Sequence, residues 1–136
     1  MNSAPAFTFT CPVKTNSGNK ALENLPVELA GLNAVKPLIV TSAQSVGRRA
    51  IRTLIGAFGD SGMALGLFDN LPDTADLALI EELKTAYFEE QYDAIIALGG
   101  GTTVDVAKVL NLTVSLKAAD ARQLSPETPI RKHLHP

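Results

Sequence analysis

An apolar run that passes directly into three consecutive glycines constrains this chain more than any other feature of its sequence. The run covers residues 94–98 (AIIAL), and the glycines are Gly99, Gly100 and Gly101. A short apolar run with two isoleucines is typical of a strand buried on both faces, as in parallel sheets. Because glycine has no Cβ, another molecule can approach the backbone closely just where the free N–H groups of a following helix point outward. The pattern therefore predicts a strand–turn–helix unit with room for a phosphate at the turn.

The helical pattern after the glycines carries polar residues whose roles stay open at this point. Thr102 and Asp105 have the spacing of a helix N-cap, so we expect the helix to be capped at Thr102. Capping is the simplest role for Asp105, and a solvated position on the helix is the simplest role for Lys108. The glycines fit neither the G-x-G-x-x-G fingerprint nor a P-loop. The residues alone leave two alternatives, a phosphate site and a glycine turn that binds nothing.

A resemblance to a known family favours the first alternative. Residues 99–108, GGGTTVDVAK, resemble the GGGS-x-x-D-x-AK signature of the iron-containing alcohol dehydrogenase family. Residues 21–26 and 36–41 resemble that family's first helix and first core strand, so the similarity extends over roughly residues 18–114. The resemblance implies that the glycine loop holds the pyrophosphate of NAD or NADP. The cofactor-binding residues that it implies are Ser42, Gly99, Gly100, Gly101, Thr102, Thr103, Asp105 and Lys108.

The choice between NAD and NADP depends, by this resemblance, on the residue that follows the first core strand. Many NAD-preferring members carry an acidic residue at the position of Ser42, where its carboxylate binds the ribose hydroxyls and repels the 2′-phosphate of NADP. Ser42 removes that repulsion, and Arg48 and Arg49 follow on the next helix. Either arginine can be a phosphate ligand or a solvated helix residue. We therefore expect NADP to be tolerated at least as well as NAD.

Alternating apolar segments predict an α/β fold, a Rossmann-like parallel sheet with helices on both faces. Ligands of such sheets bind at the carboxyl ends of the strands, so Ser42, Asp69 and residues 99–101 should converge. Residues 6–13 are a possible edge strand. The predicted core strands cover residues 38–41, 63–68 and 94–98. The predicted helices cover residues 20–32 with a break at Pro26, a segment capped by Ser45 that carries Ile51, Leu54, Ile55 and Phe58, residues 75–90 with Leu77, Ile80, Leu83 and Tyr87 inward, and residues 103–116.

The last of these helices is apolar on almost every side. A helix of this kind needs cover on more than one face, which a small sheet does not provide. We therefore expect self-association, a homo-oligomer, through residues 103–116 or through the edge at residues 6–13.

The predicted domain boundary lies at residue 116. Residues 1–116 form the dinucleotide-binding domain, and residues 117–136 are a polar linker or tail that contains His133 and His135. The resemblance implies a second, helical domain, in which one aspartate and three histidines bind iron or zinc. None of these ligands maps onto this sequence, so no catalytic or metal-binding residue is assigned. The chain is either a fragment or a stand-alone protein, and we expect it to be inactive alone. A full-length form would act on a small alcohol or aldehyde. The alternative is a non-catalytic binding or assembly module.

Composition excludes several other classes. The net charge is −2 with the two signs interspersed, so neither nucleic acid nor a membrane surface is an expected partner. No apolar run approaches the roughly 20 residues of a membrane span. The first ten residues lack the basic region of a signal peptide, and the single Cys11 cannot form an internal disulfide. We expect a cytoplasmic protein.

Overall fold

A computed structural model of the chain describes residues 6, 8, 10, 11, 13–118, 135 and 136. Within these residues, three parallel strands form one sheet: β1 (Pro37–Thr41), β2 (Gly66–Phe68) and β3 (Ala94–Leu98). Their order is β2-β1-β3, with Leu38 of β1 opposite Gly66 of β2 and Ile95 of β3. The predicted parallel sheet is confirmed, although β2 is shorter than the predicted residues 63–68.

Helices alternate with the strands along the chain, as predicted. Pro26 lies in the first turn of its helix, where its missing N–H has no intrahelical partner to lose, so the chain restarts there after a short 3₁₀ turn. Within the described residues, no helix is long and apolar enough to cross a membrane. The helical segments are a 3₁₀ turn at Ala21–Asn24, α1 (Leu25–Gly31), α2 (Ala43–Val46), α3 (Arg48–Ala57), α4 (Leu77–Glu89) and α5 (Gly101–Ser115).

Helices cover both faces of the sheet, because successive residues of β1 point in opposite directions. Leu38 and Val40 pack against α4 and α5. Ile39 lies on the other face of the sheet and packs against α1 and α3. This arrangement confirms the Rossmann-like α/β class. Both faces are apolar: the first cluster includes Ile80, Leu83, Tyr87, Val106 and Leu110, and the second includes Leu29, Leu54, Phe58 and Ile96.

Two predicted helix starts are wrong. Ser42, not Ser45, caps the helix after β1, because its Oγ accepts the Ser45 N–H at 3.4 Å and Gly47, at φ 81°, separates α2 from α3. Thr102 does not cap α5, which begins at Gly101 with Gly100 as its N-cap and no side-chain cap bond. The sharp turn at the glycines brings the chain into helical conformation before it reaches the threonines.

Two further predictions differ from the structure. Leu77 is 45% exposed, whereas Leu79 is buried in its place, because Leu77 lies in the first turn of α4, at the rim of a cavity between the starts of α4 and α5. The described residues among 6–13 are exposed and belong to no strand, and residues 7, 9 and 12 lie outside the described residues. Most of the predicted tail, residues 119–134, also lies outside them.

Candidate functional site

A cavity of about 310 Å³ opens at the carboxyl ends of the three strands. Ser42 reaches it from the end of β1, Asp73 from the loop after β2, and Gly101 from the start of α5. The side chain of Asp69 is not part of its wall. This volume lies at the lower end of the range for small-molecule sites. The described residues that line it are Ser42, Ser45, Pro72, Asp73, Gly100, Gly101, Thr102 and Thr103.

Hydrogen bonds hold the three loops around this cavity together. The Ala43 N–H donates to the Asp69 carbonyl oxygen at 2.8 Å, and the Leu71 N–H donates to the Thr41 carbonyl oxygen at 3.2 Å. These two bonds tie the loop after β2 to the end of β1. The Thr41 hydroxyl donates to the Leu98 carbonyl oxygen at 2.6 Å, which ties β1 to the end of β3. The three strand ends therefore converge, as the sequence predicts.

The three glycines serve two different purposes. Gly99 has φ +149°, and a Cβ at this residue would lie 2.8 Å from Thr103 Oγ1, so the turn itself requires glycine. A Cβ at Gly100 or at Gly101 would meet nothing within 4 Å. These two residues line the cavity, and their missing side chains leave its floor open.

Free backbone donors face this floor. The Val104 N–H donates to the Gly100 carbonyl oxygen at 3.0 Å and closes the first turn of α5. The N–H groups of residues 101–103 precede that bond and have no intrahelical acceptor. The positive end of the helix dipole lies at the same place. Backbone N–H groups in this position are donors of the kind that an anion accepts from.

A second cavity, of about 450 Å³, adjoins the first between the starts of α4 and α5. Asp73 and Thr102 line both cavities, so they mark the junction. Asp105 lines only the second one. The rest of the wall is mainly apolar and includes Ala75, Leu77, Ile80, Val106 and Val109.

The structure does not bring Lys108 to the glycine loop. Lys108 lines a third cavity, on another face of α5, together with Val104 and Leu112 and with Ile95 and Ala97 of β3. Neither Arg48 nor Arg49 lines any of the three cavities; both are exposed on α3. Of the residues predicted to bind a cofactor, Ser42, Gly100, Gly101, Thr102 and Thr103 share the first cavity, Gly99 forms the turn behind it, and Asp105 lies next to it.

Sequence reasoning missed three residues of the first cavity: Ser45, Pro72 and Asp73. The rule that pointed to Ser42, position after the carboxyl end of a parallel strand, also applies to the loop after β2. Pro72 and Asp73 follow the end of β2 at Phe68, and this signal was present in the sequence.

The described residues do not fit an iron or zinc site. Among them, no group of three His, Cys, Asp or Glu side chains could hold a metal ion. The ring of His135 packs edge-on against the ring of Tyr87, with 5.8 Å between ring centroids. His133, the other histidine of the predicted H-x-H pair, lies outside the described residues.

Known proteins share both the sequence pattern and the fold. Residues 12–134 match the sequence profile of the family of iron-containing alcohol dehydrogenases. A maleylacetate reductase from Cupriavidus pinatubonensis is 29% identical over 92 residues, which cover 68% of this chain and 25% of that protein. The chain spans about a quarter of the length of the curated relatives that it matches.

Two solved structures illustrate the shared fold. An iron-containing alcohol dehydrogenase from Thermotoga maritima superposes with a TM-score of 0.82 at 21% identity, covering 96% of this chain and 36% of that one. A sulfoacetaldehyde reductase from Bifidobacterium kashiwanohense, solved in complex with NAD+, superposes with a TM-score of 0.77 at 18% identity, covering 96% and 35%. The chain belongs to the iron-containing alcohol dehydrogenase family, as its GGGTTVDVAK motif indicates.

Proposed function

We propose that this chain is the cofactor-binding part of a metal-dependent alcohol dehydrogenase that oxidises alcohols or reduces aldehydes. The first cavity would hold the pyrophosphate of NAD or NADP. The observation that carries this proposal is the open floor at Gly100 and Gly101, where a Cβ would meet nothing, beside the free N–H groups of α5. A phosphate fills such a space and accepts from these donors.

The two alternatives for the glycine loop, a phosphate site and a turn that binds nothing, predict different NAD affinities for Gly101→Ala. Alanine is the better helix former, and no atom of the described residues lies within 4 Å of its Cβ, so the free energy of unfolding should stay the same or rise by about 0.4–1 kcal/mol. If a pyrophosphate occupies the floor, the same methyl group blocks it. We expect the affinity for NAD, measured by titration calorimetry, to fall at least about tenfold, or roughly 1.4 kcal/mol.

Gly56→Ala is the matched control. Gly56 lies within α3, its Cβ would also meet nothing within 4 Å, and it lines none of the three cavities. It should show the same small effect on stability and no effect on NAD affinity. If Gly101→Ala binds NAD as well as Gly56→Ala does, the loop is only a turn, and the chain is better regarded as a non-catalytic binding or assembly module.

The catalytic metal of such an enzyme would polarise the alcohol oxygen for hydride transfer to the nicotinamide. We propose that the chain alone does not perform this reaction, because its described residues offer no three-ligand set. The test is metal analysis of the purified chain, followed by an NAD(P)-linked assay with small alcohols after supplying iron or zinc. Turnover that survives removal of contaminating host enzymes would contradict the proposal.

We also propose self-association, as expected for a helix that is apolar on several faces. The third cavity, between α5 and β3, is lined by Val104, Ala107 and Leu112 of the helix. Leu112→Glu should reduce the mass measured by light scattering at high protein concentration, whereas Val27→Glu, at a 70% exposed position of α1, should not. A mass that is the same for the parent chain and for Leu112→Glu would count against this surface.

A further inference from the structure

Asp73 occupies a particular place among the residues around the proposed cofactor site. It lines both the first and the second cavity, and among the described residues it is the only charged one in the wall of the first. It is exposed, and within the described residues its carboxylate takes part in no hydrogen bond or ion pair. A carboxylate without a structural partner is available to a ligand.

The position of Asp73 relative to Ser42 indicates a specific binding role for this carboxylate. In doubly wound sheets, an acidic residue beyond the strand next to the glycine-loop strand binds the hydroxyls of the adenosine ribose. Here that neighbouring strand is β1, and it ends at Ser42, which has no charge. The loop after β2 is tied to the same end by an isolated bridge between Ser42 and Asn70. This bridge brings Asp73 into the wall that contains Ser42.

The charges around the two cavities disfavour an additional phosphate. Among the described residues that line them, none is basic, and three are acidic: Asp73, Asp76 and Asp105. Sites for NADP usually provide an arginine for the 2′-phosphate. Asp76 is engaged as the N-cap of α4, where its Oδ1 accepts the Leu79 N–H at 2.9 Å. Of the three, only Asp73 lines the cavity that also contains the glycine loop.

We propose that Asp73 is the residue that selects the dinucleotide: its carboxylate accepts hydrogen bonds from the adenosine ribose hydroxyls and repels a 2′-phosphate, so the site prefers NAD to NADP. This inference rests on the proposed cofactor function. It reverses the expectation from Ser42 alone, because the negative charge missing at Ser42 is supplied by a neighbouring loop. The position of Asp73 after β2 can be read from the sequence, but its proximity to Ser42 arises only when the loop after β2 pairs with the end of β1.

The experiment is a calorimetric titration of the chain and of Asp73→Asn with NAD and with NADP at low ionic strength, where charge repulsion is least screened. The parent chain should bind NAD at least about tenfold more tightly than NADP. Asn keeps the size of the side chain and removes its charge. Asp73→Asn should bring the two dissociation constants to within roughly threefold of each other, mainly through tighter binding of NADP.

Asp60→Asn is the control for net charge. Asp60 is exposed in the turn after α3 and lines none of the three cavities, so this variant should keep the NAD preference of the parent chain. A second substitution, Asp73→Ser, tests whether the change in preference comes from loss of the charge rather than from the asparagine amide introduced by Asp73→Asn. Circular dichroism of all variants establishes that they are folded.

The outcomes separate this inference from the proposal on which it rests. If neither dinucleotide binds the folded parent chain, the cofactor function fails and the inference fails with it. If both bind but the preference is unchanged in Asp73→Asn and Asp73→Ser, the cofactor function stands and the assignment of Asp73 is overturned. A preference for NADP in the parent chain would also overturn it.

Discussion

The side-chain hydroxyl of Thr41 donates a 2.6 Å hydrogen bond to the carbonyl oxygen of Leu98. Both residues end their strands, and they lie opposite each other in the register of β1 and β3. Thr41 is fully buried, and Leu98 is the last residue before the glycine turn. The turn that forms the proposed phosphate site is therefore anchored from the neighbouring strand by a side chain.

Thr41→Val should loosen this anchor while keeping the shape of the side chain. We expect the free energy of unfolding to fall by about 1–2 kcal/mol, because one buried hydrogen bond is lost. We also expect the affinity for NAD to fall at least about threefold, roughly 0.7 kcal/mol, since the loop is less well ordered. Chemical denaturation and titration calorimetry on the same preparation measure the two quantities.

Thr113→Val is the control for this experiment. Thr113 is also fully buried, and its hydroxyl donates to the Val109 carbonyl oxygen at 2.7 Å within α5, far from the glycine turn. It should affect stability without affecting NAD affinity. If both valine variants lower affinity equally, the Thr41–Leu98 bond has no special role in the site.

Gly99 and Gly100 should respond very differently to alanine. Gly99→Ala places a Cβ 2.8 Å from Thr103 Oγ1 at a backbone φ of +149°, which L residues rarely adopt. We expect a loss of about 1–3 kcal/mol in the free energy of unfolding, measured by denaturation. Gly100→Ala, with φ −95° and open space around the new methyl group, should change stability by less than about 1 kcal/mol. Equal losses in the two variants would show that the conformation of Gly99 is not a source of strain.

The fold could be predicted because its signals are local. Short apolar runs mark the strands, and the glycines mark the turn. The helix start was misplaced because backbone conformation at Gly99, rather than the capping spacing of Thr102, decides where α5 begins. The strand-end rule identified Asp69, the first residue after β2, rather than Asp73, because the pairing of this loop with the end of β1 decides which residue reaches the cavity.

The position of Lys108 on α5 could have been predicted from helical spacing in the sequence. Thr102, Asp105 and Val109 are spaced i, i+3 and i+7, so they share one face of α5. Lys108 instead shares a face with Val104 and Leu112, at spacings of four residues. The structure follows this division, with the first set lining the second cavity and Lys108 lining the third. Lys108 was included in the predicted site because of the resemblance to the family motif, although helical geometry separates it from the glycine loop.

Tyr87→Phe should maintain or raise stability at neutral pH. Tyr87 is 1% exposed, and its hydroxyl has no hydrogen-bond partner within the described residues. A buried hydroxyl without a partner costs about 1–3 kcal/mol, and phenylalanine removes it while keeping the ring that packs on Tyr92 and His135. Thermal denaturation should show an equal or higher midpoint. A clear loss of stability would indicate that the hydroxyl has a partner.

The same residue predicts how stability depends on alkaline pH. Burial, and to a smaller extent the charge of Asp93, raises the pKa of the Tyr87 hydroxyl above its usual value near 10. The unfolded chain therefore releases this proton first as the pH rises, and stability that is fully present below pH about 10 is lost above it. Tyr87→Phe should show a shallower decline of the unfolding free energy above pH 10. The pKa of Tyr92 is also raised, by burial and then by Glu90, so part of the decline should remain. Identical slopes for the two proteins would contradict this account.

Ser42→Asp tests whether a carboxylate at the end of β1 can replace the one at Asp73. The substitution should fold, because Ser42 caps α2 through its Oγ and aspartate is an equally good N-cap. Its new carboxylate would lie in the wall of the first cavity, which Ser42 already lines. Two like charges about 4 Å apart near a protein surface cost up to ~4 kcal/mol before salt screening, so a 2′-phosphate should be strongly disfavoured.

The informative background for this substitution is Asp73→Asn, in which the proposed selecting charge is absent. There, Ser42→Asp should restore a preference for NAD of at least about tenfold, whereas in the parent chain it should only add to a preference already present. The control is Ser45→Asp in the same background, because Ser45 lines the cavity from the far end of α2 and tests whether any added charge suffices. Restoration by Ser42→Asp but not by Ser45→Asp would locate the ribose beside the end of β1. No restoration by either variant would mean that the 2′-position of the bound dinucleotide lies away from Ser42.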